Sequence, residues 1–133
     1  MDEGKKNFWV FEFPPLLWMG IIFCLSSIPG RYVPRSWLFH HAGHFIEYSV
    51  LGVLLARAMA HLKIKWNVLM FSFLSVVLII LYALFDEWRQ SFVPGRTCSL
   101  NTVFFDAAYA ILGVVLYDEI VFVLRKKKRT GNS

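Results

Sequence analysis

Two adjacent carboxylates, Asp86 and Glu87, stand with Arg89 and Gln90 at the end of an uncharged apolar run from Trp66 to Phe85, and Pro94-Gly95-Arg96 follow closely. Charges are expensive inside a bilayer, so ionisable groups set against such a run point to a use. A second set, His40, His41, His44, Glu47 and Tyr48, lies in another apolar segment, and Asp106 interrupts a further one. His44 with one of Glu47, Asp86 or Glu87 is the acid–base pair this set offers for moving a proton. Arg96, with Arg31 and Arg35, supplies the forked donors that suit a phosphate or a carboxylate. The candidate catalytic residues are thus His44, Glu47, Asp86 and Glu87; the candidate ligand-binding residues are His44, Glu47, Tyr48, Asp86, Glu87, Gln90, Arg96 and Asp106. His40, His44 and Glu47 have a spacing that suits zinc or iron, with Asp86 or Glu87 assisting. The chain has no His-Glu-x-x-His motif, though, and no glycine-rich phosphate loop, nucleophile elbow or haem-attachment motif, so neither a metal nor a cofactor is expected.

These residues need elements that hold them in an apolar medium. Of the 133 residues 57% are hydrophobic and 17% aromatic, which excludes an ordinary soluble domain and predicts an integral membrane protein of one domain, 1–133. Four apolar segments approach the roughly twenty residues needed to cross a hydrocarbon core: about 8–28, 36–61, 66–92 and 99–124. The expected fold is all-α, a bundle of four transmembrane helices. Ser36 is the expected N-cap of the second helix, while Pro29-Gly30 and Pro94-Gly95 stop the first and third. Lys5, Lys6 and the acids before the first run, with Pro14-Pro15 near its start, predict a retained helix rather than a cleaved signal.

The net charge of +5 gathers in Arg125-Lys126-Lys127-Lys128-Arg129. Directly after an apolar helix this cluster is a topology signal in contact with anionic lipid, and no nucleic-acid partner is expected. Lys5, Lys6, Arg57, Lys63, Lys65 and the tail share one side of a four-crossing plan, which makes both termini cytoplasmic. His44, Glu47, Asp86, Glu87 and Asp106 then fall in one layer near the outer surface, Asp106 about 10 Å below the loop before it. They are expected to line a polar cleft with Gln90 and Arg96, open to the outside, Arg96 pairing with a carboxylate. Trp9, Trp18, Trp37, Trp66 and Trp88 read as interface anchors, and Gly20, Gly43, Gly52 and Gly113 as close-packing positions. Cys24 reads as a small buried hydrophobe, Cys98 as a loop thiol, and Asp118 and Glu119 as an offset to the basic tail.

Ser26-Ser27-Ile28-Pro29, His44-Phe45-Ile46-Glu47-Tyr48 with Leu51-Gly52, and Asp86-Glu87-x-x-Gln90-x-Phe92-x-Pro94-Gly95-Arg96 with Ser99 resemble the VanZ-like family of small membrane proteins, over about residues 20–117. The resemblance implies a small multi-helix protein of the bacterial inner membrane, in a family named for a glycopeptide (teicoplanin) resistance determinant. Three positions depart from the family pattern: His41 replaces a Lys, Thr102 an Asp and Tyr109 a Gly, whereas Gly113 is kept. Two functions suit these features. The cleft binds a cell-envelope ligand, a lipid-linked or cell-wall precursor, with or without chemistry. Alternatively, the polar residues are interhelical glue in a small accessory subunit of a larger membrane complex.

Overall fold

A computed structural model describes residues 2–34, 36–62 and 67–130, apart from the side chain of Arg129; Arg35, Lys63, Lys65 and Trp66, singled out above, lie outside the described residues. Helices dominate, and no strand occurs among the described residues. The long helices are α1 (Glu3–Ser26), α2 (Trp37–His61), α3 (Val68–Gln90) and α4 (Leu100–Thr130).

Local chemistry sets their limits. In α1, Phe8–Glu12 winds as a π-turn immediately before Pro14 and Pro15. A proline cannot donate to the carbonyl four residues back, and a widened turn is one way to absorb that loss. Ser36 occupies the N-cap position of α2 but makes no side-chain cap bond. Asn67 does cap α3, its Oδ1 accepting the Met70 N–H at 2.8 Å. After α3 the chain turns through Gly95 at φ +77°, a conformation favourable only to glycine. There the Gly30 N–H donates to the Pro94 carbonyl at 3.0 Å, and a Cβ on Gly30 would overlap the Gly95 carbonyl. The loops after α1 and α3 are thereby locked backbone to backbone.

Helix α2 is the centre of the bundle, packed along α4 and also against α3 and α1. Gly52 and Gly113 permit the approach to α4: a Cβ on either would meet the backbone carbonyl of Ala110 or Ser49 across the interface. Gly20 and Gly43 differ from that expectation, since nothing lies within 4 Å of where their Cβ would be. At the far end Phe11 stacks on His61 and Arg57 lies over the Phe11 ring, which sets the start of α1 beside the end of α2.

Burial is inverted relative to a water-soluble protein. The core of Ile22, Tyr48, Leu51, Ile79, Ala83, Val103 and Ala110 adjoins buried His44, Asp86, Glu87, Gln90 and Asp106, while Leu69 and Phe104 are 79% and 75% exposed. Polar groups inside and apolar ones outside is the arrangement a bilayer selects. By length and composition α1, α3 and α4 are apolar enough to cross a membrane. Helix α2 is as long as these, but its histidines, Glu47 and Arg57 lower its hydropathy; its polar residues His44 and Glu47 turn into the bundle.

Candidate functional site

The polar residues separate into three linked arrangements. The first centres on Asp86, on the last turns of α3. Its Oδ1 accepts from Ser26 Oγ at 2.7 Å and from Arg89 Nη2 at 3.0 Å, and its Oδ2 from Gln90 Nε2 at 2.8 Å. The i, i+3 and i, i+4 spacings put Arg89 and Gln90 on the same helix face as Asp86. Arg89 then reaches α1, donating to Ser27 Oγ at 2.9 Å, to the Phe23 carbonyl at 3.2 Å and to Ser26 Oγ, with its guanidinium 4.1 Å above the Phe23 ring. This group fastens the end of α1 to the end of α3.

The second arrangement joins α2 to α4. His44 Nδ1 lies 2.9 Å from Asp106 Oδ1, both residues buried. An ionised carboxylate only accepts, so Nδ1 carries a proton in this pair. Tyr48 lies one turn below, its ring stacked with His44 at 6.0 Å and 11°. His41 also meets α4, at Phe105 and Tyr109.

Third, Glu87 Oε1 accepts the Ser99 N–H at 2.5 Å, immediately before α4 begins. A carboxylate at that place satisfies a free donor and complements the positive end of the helix dipole.

A cleft of about 260 Å³ opens beside them, lined by Ser26, His40, Gly43, His44, Glu47, Gln90 and Arg96 together with the apolar Leu25, Ile28 and Phe39. It adjoins a second space of about 360 Å³ that shares Val33, Pro34, His40, Gln90 and Arg96 and adds Ser36, Trp37 and Thr97. Asp86 and Glu87 do not line the cleft; they stand behind its wall, engaged by Arg89 and Ser99. Arg96 lines it, but its bonds go to the Ile28 carbonyl at 3.1 Å and the Leu25 carbonyl at 3.3 Å rather than to a carboxylate. Those carbonyls lie where α1 ends, the Leu25 one also accepting the Ile28 N–H at 3.2 Å, and a guanidinium is a natural cap for them. The carboxylate pairing expected of Arg96 is made by Arg89 instead. Glu47 is different from all three other acids: among the described residues no hydrogen bond or ion pair engages its carboxylate.

The family model described as VanZ/LLP1 matches residues 10–123. The chain belongs to the VanZ/LLP1 family. No curated protein and no solved structure matches it. The matched span includes the cleft and every residue named in the three arrangements. With the three apolar helices, membership of the VanZ/LLP1 family points to a multi-pass membrane protein.

Other expectations are placed as follows. Among the described residues no group of three or more His, Cys, Asp or Glu is arranged to hold a metal ion. Cys24, expected to be buried, is exposed on the outer face of α1, because α1 turns Ile22 and Ser26 inward instead. Asp118 accepts from Ser72 Oγ at 2.6 Å, tying α3 to α4. Trp18 donates to the Glu47 carbonyl at 2.9 Å, bracing α1 on α2, whereas Trp9, Trp37 and Trp88 are exposed as anchors would be. Arg31 lies 4.7 Å over the Tyr32 ring near the loop crossing. Sequence reasoning passed over Ser26, Ser27 and Arg89 as site partners; the i, i+3 spacing of Asp86 and Arg89 was the available signal.

Proposed function

We propose that this VanZ/LLP1 chain is a four-crossing protein of the bacterial inner membrane, with cytoplasmic termini, that binds a cell-envelope ligand in an outward-facing cleft. The supporting observation is Glu47: an acid whose carboxylate no hydrogen bond or ion pair engages among the described residues, on the wall of a cleft that also holds His44 and the Arg96 guanidinium. Leaving a carboxylate unpaired at membrane depth is costly, and a ligand that completes it explains why it is kept. The basic residues Lys5, Lys6, Arg57 and Arg125 to Lys128 gather at one end, and the positive-inside bias assigns that end to the cytoplasm. A lipid-linked or cell-wall precursor fits the outer position of the cleft, and teicoplanin susceptibility is the phenotype to examine first. Glu47→Gln expressed at normal level with unchanged susceptibility counts against the site; loss of the phenotype supports it.

A second reading has its own observation. Asp86, Glu87 and Asp106 are all satisfied within the bundle, as interhelical glue would be. On that reading the chain is an accessory subunit, and stoichiometric protein partners co-purify with it after mild extraction.

A further inference from the structure

The two spaces of the cleft differ in the sign of what they offer. In the inner one, the Glu47 carboxylate is an acceptor that no hydrogen bond or ion pair engages among the described residues. At the junction with the outer one stand Arg96, Gln90 and His40, which bring donors. Two Arg96 nitrogens spend one bond each on backbone carbonyls, and Gln90 Nε2 spends one on Asp86, so donor capacity remains on both. Along α2, Glu47 lies seven residues beyond His40, about 10 Å of helix rise. A ligand that fits carries a cation with N–H donors inward and an oxyanion with several acceptor oxygens at the junction. Leu25, Ile28 and Phe39, on the wall of the inner space, are themselves exposed on the outside of the bundle. The same wall that holds the polar groups is therefore continuous with the apolar surface.

We propose that the cleft recognises an aminoalkyl phosphate, its primary ammonium on Glu47 and its phosphate at Arg96 and His40. This rests on the cleft being a binding site and names the class of its ligand. A primary ammonium has three donors to give, whereas a quaternary one has none, and a neutral glycerol head brings no cation to Glu47. Arg and a second donor at the junction suit a phosphate better than a carboxylate, which one guanidinium satisfies alone. The group can arrive as the head of an ethanolamine phospholipid, through the apolar side of the cleft, or free from the aqueous side.

The test is titration of the full chain in detergent with dihexanoyl phosphatidylethanolamine, its choline and glycerol counterparts, and free phosphoethanolamine. Ethanolamine lipid binding at least tenfold tighter than the other two lipids, with that preference abolished in Glu47→Gln and all binding lost in Arg96→Ala, is the result expected. Free phosphoethanolamine bound as tightly, with the same dependence on Glu47, supports the proposal with a soluble source. Equal binding of all three lipids, lost in Arg96→Ala, overturns the aminoalkyl assignment and leaves the cleft a binding site. No binding of any probe, while an envelope precursor co-purifies in an Arg96-dependent way, overturns this assignment alone. No probe bound and no such precursor overturns both. The headgroup comparison on the unsubstituted protein decides the matter even where a variant folds poorly.

Discussion

His44 Nδ1 and Asp106 Oδ1 meet at 2.9 Å although 62 positions separate them in the chain. The contact closes α2 onto α4 and turns Nδ1 of His44 toward Asp106. Asp106→Ala leaves a buried N–H without an acceptor, at a cost of about 1–3 kcal/mol. Asp106→Asn still presents a carbonyl oxygen and is expected to recover part of that loss. Thermal unfolding of the purified protein in detergent should rank the unsubstituted chain first, Asn second and Ala last.

Asp86 and Arg89 form the second long-range tie, through Ser26 and Ser27. Removing Asp86 takes the acceptor from Ser26 Oγ, Gln90 Nε2 and Arg89 together, although Arg89 keeps Ser27 Oγ and the Phe23 carbonyl. Removing Arg89 strands less, because Asp86 keeps Ser26 Oγ and Gln90 Nε2. Asp86→Ala is therefore expected to lower the unfolding midpoint further than Arg89→Ala. The reverse order contradicts this reading of the pair.

How far the sequence carried this picture depends on what each feature rests upon. Ionisable groups in apolar runs are visible one residue at a time, and so was the convergence of His44, Glu47, Asp86 and Asp106. Pairing was not visible, because it depends on how each helix is rotated about its axis and on which loops cross. Arg96 lies near two acids in the sequence, yet the Gly30–Gly95 crossing directs it onto the end of α1. The same rotation exposes Cys24, and it sends Asp118 to Ser72. Glu87 faces Ser99 because the loop returns α4 to the end of α3, a relation no helical periodicity encodes.

Close packing of α2 on α4 gives a third prediction. Gly113→Ala forces a methyl onto the Ser49 carbonyl, and overpacking of this kind costs about 1–3 kcal/mol. Gly20→Ala, with open space around it, is the matched control and is expected to be neutral. Comparable destabilisation of the two variants contradicts the packing described.

The two thiols report orientation. Cys98 is exposed in the loop at the cleft end, and Cys24 is exposed on the apolar face of α1. A reagent confined to water does not reach a thiol covered by hydrocarbon. A membrane-impermeant maleimide added to spheroplasts is expected to label Cys98 and to spare Cys24. Labelling of Cys98 only after the membrane is opened would reverse the topology.

Glu47→Gln is the most direct test of the central claim, because the substitution keeps the shape of the side chain and removes only its charge. No hydrogen bond or ion pair engages that carboxylate among the described residues, so the unfolding midpoint is expected to stay within about 0.5 kcal/mol of the unsubstituted chain, the range of changes that break no contact. Ligand retention and the envelope phenotype are expected to be lost. A Glu47→Gln protein as stable and as abundant as the original that keeps both would show that Glu47 is not part of a binding site.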